Sequence, residues 1–153
     1  MIIYLDTSAL VKEYHDEEGS MYVHEIYRRA KEGKEKLFTS LWTVSETINV
    51  LDKHKMRREL TDEEFEIVIG AIFSDILNLK ERGALEVIEV ETDLFKMSWE
   101  MIIKEHLSSA DALHLVTALK KKVNRFLAAD SKLVNVAKKK GLQAINVEAV
   151  STP

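Results

Sequence analysis

Four acids stand where acids are chemically useful: Asp6, Glu46, Asp111 and Asp130. Asp6 follows the apolar run Ile2–Leu5 at once, and Asp130 follows Phe126–Ala129. Both runs read as short buried strands. In an open parallel sheet the carboxyl ends of the strands share one edge, and binding sites form there. Two aspartates at that edge can meet although they are far apart in the chain. Glu46 falls in the first turns of a helix expected after a second strand, and Asp111 in the first turn of the helix that feeds Phe126. Four carboxylates brought together repel and raise one another's pKa values. A divalent cation is the natural counterweight. Hard ions such as Mg²⁺ or Mn²⁺ take oxygen ligands and need only one or two carboxylates each. A pair of them about 4 Å apart can activate water and stabilise the leaving oxygen of a phosphodiester.

Each acid also has a plainer role. Asp6 and Asp130 are placed to cap helices, accepting hydrogen bonds from exposed amides. Asp111, three residues after Ser108, can complete a capping box. Glu46 lies roughly opposite the apolar stripe Val44, Ile48 and Leu51, where a solvated glutamate is ordinary. Singly, none of the four demands a function. A common edge is what would make them a site.

The elements that must position them follow from pattern. Ile2–Leu5 is a strand, and Asp6-Thr7-Ser8 opens a helix over Ala9–Tyr14. Ser20 starts a second helix with Val23, Ile26, Tyr27 and Ala30 on one stripe, closed by Gly33. Leu37–Thr39 is a strand and Trp42–Arg57 a helix. Thr61-Asp62-Glu63-Glu64 has the form of a capping box and opens a helix to Arg82. Leu85–Val90 is a strand, Asp93–Glu105 a helix, and Ser108 or Ser109 caps a helix over Ala110–Lys122. Phe126–Ala129, a helix over Ser131–Lys140, and the strand Ala144–Val147 complete the series. Strands separated by helices predict a parallel sheet with helices on both faces, an α/β fold of three layers. Residues 1–148 are expected to form one domain, with 149–153 a short tail.

Composition narrows the partners. Of the 153 residues, 46% are hydrophobic and 31% charged, with a net charge of −4, so nucleic acid would be held by a local patch or by cations. There is no cysteine, which excludes thiolate metal sites and thiol nucleophiles. No apolar run approaches the roughly 20 residues that span a bilayer, and Met1–Leu5 lacks the form of a signal peptide. A cytoplasmic protein without membrane contact is expected.

The stretch Ile2-Ile3-Tyr4-Leu5-Asp6-Thr7-Ser8-Ala9-Leu10 resembles the opening of PIN-domain nucleases. Ser45-Glu46 with Val50-Leu51 resembles their second motif, Ser109 to Ala118 their third, and Ala128-Ala129-Asp130-Ser131-Lys132-Leu133 their fourth. The motifs run in order over almost the whole chain. The resemblance implies a five-stranded parallel sheet of order 3-2-1-4-5, and Asp6, Glu46, Asp111 and Asp130 as catalytic, metal-binding acids. It implies one or two Mg²⁺ or Mn²⁺ ions, hydrolysis of single-stranded or loop RNA to 5′-phosphate and 3′-hydroxyl ends, and Thr7, Ser8 and Ser131 supporting the acids or touching phosphate. Within the family the chain resembles the VapC toxins of toxin–antitoxin pairs. That implies a homodimer and a small antitoxin whose C-terminal segment fills the acidic groove. A housekeeping RNA-processing nuclease, and a non-catalytic RNA- or protein-binding module with a decayed site, remain open. So does an aspartyl phosphotransfer domain, although that pattern wants an acid where Ser8 stands. Ala128 departs from the family, which often carries a hydroxyl there, and leaves the fourth corner thinly furnished.

Some residues have two readings. His114 lies one turn after Asp111 and either faces the site or packs as a hydrogen-bonded core histidine. Asn49 shares the Glu46 face and either orients that carboxylate or is solvated. Lys120, Lys121, Lys122, Arg125 and Lys132, with Lys138–Lys140, either complement helix dipoles or touch an RNA backbone. Trp42, Phe95 and Trp99 are expected in the core or in helix packing; exposure around the Trp42–Arg82 helices would suggest a protein-binding groove.

Overall fold

The structure is a computed structural model, and it describes residues 1–150. The last three positions of the expected tail, 151–153, lie outside the described residues. The chain runs β1 (Ile2–Leu5), α1 (Thr7–Val11), α2 (Ser20–Lys31), β2 (Lys36–Ser40), α3 (Leu41–Met56) and α4 (Asp62–Glu81). It continues β3 (Leu85–Ile88), α5 (Thr92–Glu105), α6 (Ser109–Lys120), β4 (Arg125–Ala128), α7 (Ser131–Lys139) and β5 (Gln143–Asn146). The strands pair in parallel in the order β3-β2-β1-β4-β5, as the resemblance implied.

Period-two alternation builds the three layers. From β1, Ile3 and Leu5 enter one core with Leu37, Leu85 and Leu127, under residues of α1, α2 and α4. Tyr4 points the other way and joins Phe126, Ala128 and Phe38 beneath α5, α6 and α7. A slip of one residue in β1 would exchange the two sets, so register is strongly specified.

Three expected boundaries shift, each for a local reason. The first helix stops at Val11 instead of Tyr14, because the chain turns there: the amides of Tyr14 and His15 both donate to Val11 O. That turn buries the Lys12 ammonium between Glu17 Oε1 at 2.7 Å and Glu148 Oε1 at 2.8 Å. β3 ends at Ile88, not Val90, because its partner β2 passes into α3 after the pair Ser40↔Ile88. α6 ends at Lys120, and Lys122 takes a left-handed φ of 51° as the chain reverses. Trp42, Phe95 and Trp99 are exposed rather than packed in the core, by 39%, 44% and 58%.

Gly19 requires its missing side chain. Its φ is +88°, and an added Cβ would stand 2.5 Å from Val147 O. This close approach, with the Lys12 ion pairs, ties the loop between α1 and α2 to the end of β5.

Candidate active site

Asp6 follows β1, and its backbone N–H donates to Leu127 O of β4 at 3.1 Å. Parallel pairing thus delivers Asp6 beside the turn that carries Asp130. Glu46 lies in the second turn of α3 and Asp111 in the first of α6. All four acids line one cavity of about 300 Å³ at the carboxyl edge of the sheet, together with Thr7, Ser8 and His114. The edge expectation holds at the level of the cavity.

The capping roles of Asp6 and Asp130 are realised, whereas Asp111 completes no capping box: Ser108 caps α6, and its hydroxyl also donates to the Asp111 carboxylate. Ala9 N–H donates to Asp6 Oδ1 at 2.8 Å, Leu133 N–H to Asp130 Oδ1 at 2.7 Å, and Ser108 Oγ to Asp111 Oδ2 at 2.7 Å. Asp111 and Asp130 each keep one oxygen free: no hydrogen bond reaches Asp111 Oδ1 or Asp130 Oδ2 from any described residue. Among the described residues no three His, Asp or Glu side chains stand close enough to form a ready metal cage. The oxygen-only donors suit a hard divalent ion rather than a softer one.

Ser8 is the hinge of the first corner. Its Oγ donates to Asp6 at 2.7 Å from Oδ1 and accepts from Ala129 N–H at 2.7 Å, so it locks Asp6 to the loop after β4. Glu46 is not a solvated helix glutamate. Thr7 Oγ1 donates to Glu46 Oε2 at 2.5 Å, and His114 Nε2 lies 2.8 Å from the same oxygen. His114 is buried, and its Nδ1 meets Tyr4 Oη at 3.2 Å and Thr43 Oγ1 at 3.4 Å. The two readings of His114 are thus one: it is packed in the core and also faces the cavity.

The electrostatics differ from simple mutual repulsion. Burial chiefly pushes the Asp6 pKa up to about 6, against the pull of His114, Ser8 and the Ala9 amide, and the Asp111 charge adds least. Burial acts upward on Glu46 too, but hydrogen bonds from His114 and Thr7 outweigh it and hold the carboxyl below its usual value. The site therefore contains one carboxyl inclined to take a proton near neutrality and one held ionised.

Other expected residues divide. Ser131 Oγ accepts from Asn146 Nδ2 at 3.0 Å, and the same Nδ2 donates to Ala129 O at 2.9 Å. Asn146 thus furnishes the fourth corner that Ala128 leaves without a hydroxyl, and only a polar residue ending a buried strand hinted at it. Asn49 is exposed. Lys132 stands at the acidic edge, its ammonium donating to His106 O. Lys120, Lys121, Lys122 and Arg125 lie at the opposite edge, where α6 ends and β4 begins. Lys120 pairs with Glu91 at 3.1 Å and Lys121 with Glu86 at 2.9 Å. The structure does not bring them to the four acids. Val50 of the second motif and Ala110 of the third also line the cavity, as do Val11, Glu17 and His54, which were not singled out in the sequence. No described helix is long and apolar enough to cross a membrane.

Comparison with known proteins agrees with the geometry. No curated protein sequence matches the chain. Among solved structures, FitAcB from Neisseria gonorrhoeae superposes with a TM-score of 0.66 at 13% identity, covering 97% of this chain and 99% of that one. VapC20 of Mycobacterium tuberculosis, described as a sarcin-ricin-loop-cleaving toxin, superposes with a TM-score of 0.64 at 17% identity, covering 94% and 97%. VapBC2 from Rickettsia felis, bound to a promoter DNA fragment, gives 0.64 at 15% identity, covering 95% and 98%. These likenesses show a shared fold. The PIN domain family model matches residues 3–139, so the chain belongs to the PIN domain family.

Proposed function

We propose that this chain is a metal-dependent endoribonuclease, with residues 1–148 acting as one nuclease domain. One observation carries the reading: four carboxylates from four separate elements line a single cavity at the carboxyl edge of the sheet. Asp6, Glu46, Asp111 and Asp130 would hold one or two Mg²⁺ or Mn²⁺ ions. Bound there, such ions supply the Lewis acidity that activates water and stabilises a leaving oxygen.

The chain's own residues do the positioning. Ser8 fixes the rotation of the Asp6 carboxyl, and the helix amides hold one oxygen each of Asp6 and Asp130. Thr7 and His114 orient Glu46 and keep it ionised. Ser131, held by Asn146, and Lys132 follow Asp130 at the start of α7 and would make the phosphate contacts. Lys120, Lys121, Lys122 and Arg125 would touch only a strand long enough to reach the far edge.

The toxin of a toxin–antitoxin pair is the form of this activity we favour. Its support is the structural likeness to chains described as a toxin, a VapBC pair and a toxin–antitoxin complex. A small antitoxin, a homodimer and a cytoplasmic setting belong to the same proposal. The absence of a ready cage among the described residues favours one other reading, a binding module with a decayed site. Calorimetric titration with Mn²⁺ separates them, because a decayed site takes up no stoichiometric ion. RNA cleavage by the wild type and Asp6→Asn in Mg²⁺ or Mn²⁺ tests the proposal directly. Loss in the variant is expected, and equal rates in both would end it.

A further inference from the structure

The nuclease reading leaves a gap in how the cavity grips a strand. Among the described residues that line it there is no lysine or arginine. Besides the four acids, Thr7, Ser8 and His114, the cavity is lined by Val11, Glu17, Val50, His54 and Ala110. The one carboxylate in that set, Glu17, is paired with the buried ammonium of Lys12, and the set holds no lysine or arginine to meet a phosphate. It offers apolar and aromatic surface instead.

The His54 ring is held on two sides. Its Nδ1 is hydrogen-bonded to Glu59 Oε2. The ring of His15 packs against it with centroids 4.3 Å apart and planes tilted by 35°. The two rings come from different elements, His15 from the turn after α1 and His54 from the last turn of α3. The turn under His15 is itself anchored, since Lys12 is buried between Glu17 and Glu148 and Gly19 lies against the Val147 carbonyl. A ring immobilised before its ligand arrives loses little freedom on binding.

Resting on the nuclease reading, we propose that His54, backed by His15 and flanked by Val11 and Val50, is a subsite that stacks one unpaired nucleobase of the RNA strand beside the acids. Every base has a π-face, so such stacking is tolerant of sequence. A cavity of about 300 Å³ is small for a ligand site and admits a single splayed nucleotide rather than a duplex. The subsite thus selects for single-stranded or loop RNA and not for a particular letter.

The test is fluorescence anisotropy with an end-labelled single-stranded RNA hexamer in Ca²⁺, for wild type, His54→Ala and His54→Phe. Circular dichroism confirms that each variant is folded. The alanine variant should bind about tenfold more weakly, the size expected for one stacked base. The phenylalanine variant, which keeps a π-face without the imidazole, should restore most of the affinity. A hexamer of abasic residues should bind the wild type as weakly as RNA binds His54→Ala. Unchanged affinity in His54→Ala, no rescue by His54→Phe, or no binding by the wild type overturns the subsite. Cleavage of the same hexamer in Mn²⁺ separates the two claims. Cleavage with no dependence on His54 removes the subsite and leaves the nuclease; His54-dependent binding without cleavage does the reverse.

Discussion

His114 Nε2 stands 2.8 Å from Glu46 Oε2 and so joins α6 to α3 across 68 positions of chain. The same ring meets Tyr4 of β1 through Nδ1 and Thr7 of α1 through Nε2. One buried side chain therefore sets the relative placement of four elements around the cavity. Groups that orient a metal-binding carboxylate typically matter by 10- to 100-fold (roughly) in affinity or activity. His114→Ala should lower RNA cleavage by about that factor and weaken Mn²⁺ binding in calorimetry. It should also cost about 1–3 kcal/mol of stability through the polar groups left unpaired. His114→Gln, whose amide can reach Glu46, should recover part of the metal affinity. Variants that lose stability while keeping wild-type metal affinity would reduce His114 to a packing residue.

Asp6 gives a second prediction, in which stability and function oppose one another. Its folded pKa of about 6 lies above the ordinary 3.8, so the ionised carboxyl opposes folding. The stabilising contribution is complete below the unfolded value and is lost as pH rises through about 6. In EDTA at pH 8, Asp6→Asn should therefore be more stable than the wild type by about 1–3 kcal/mol and unfold at a higher temperature. The Asn carbonyl oxygen can still accept the Ala9 amide, so the helix cap survives. Adding Mn²⁺ should stabilise the wild type by about 2.7 kcal/mol at a hundred times Kd, raising its Tm, and stabilise the variant less. A wild-type Tm indifferent to both Mn²⁺ and Mg²⁺ would contradict a cation site.

The pattern of legibility has a physical basis. The parallel sheet and the placement of Asp6 and Asp130 were open to inspection, because apolar runs ended by an acid state both burial and edge; the strand order came from the resemblance to PIN-domain nucleases. The partners of Glu46 were not. Its position opposite Val44, Ile48 and Leu51 describes one helix, whereas its burial comes from Thr7 and His114 on other elements. Mutual repulsion was expected to dominate the acids, yet desolvation is the larger cause at Asp6, since burial depends on packing that no spacing reveals. The exposure of Trp42, Phe95 and Trp99 was misjudged for a related reason. Apolar character says that a side chain gains from cover, but not whether its own chain provides it.

Glu13 offers a prediction away from the acids. Burial chiefly lifts its pKa from 4.5 to about 7, against His24 and Lys31, with Asp75 adding to the rise. Its Oε2 has no hydrogen-bond partner among the described residues. A raised acid contributes stability below about pH 4.5 and loses it as pH climbs through 7. Glu13→Gln should match the wild type near pH 4.5 and exceed it at pH 8. With solvent screening the gain should be about 1–2 kcal/mol. Urea titrations across that range would show the curves diverging with pH, and parallel curves would refute the assignment.

The last prediction concerns the uncovered side chains of α5. Phe95, Trp99 and Ile103 recur every four residues and form a stripe on one face, exposed by 44%, 58% and 72%. Contiguous apolar surface of this kind marks contact with another protein. The proposed homodimer would cover it most simply by placing α5 against its own copy, since a two-fold contact uses one patch twice. Sedimentation should then give a dimer for the wild type and a monomer for Trp99→Glu, because two opposed copies would bury the new charges facing one another. The acids lie in a cavity to which α5 contributes no lining residue, so the monomeric variant should bind Mn²⁺ with wild-type affinity. A Trp99→Glu protein that still sediments as a dimer would move the self-contact to another face, such as the exposed Ile67, Phe73 and Leu77 of α4.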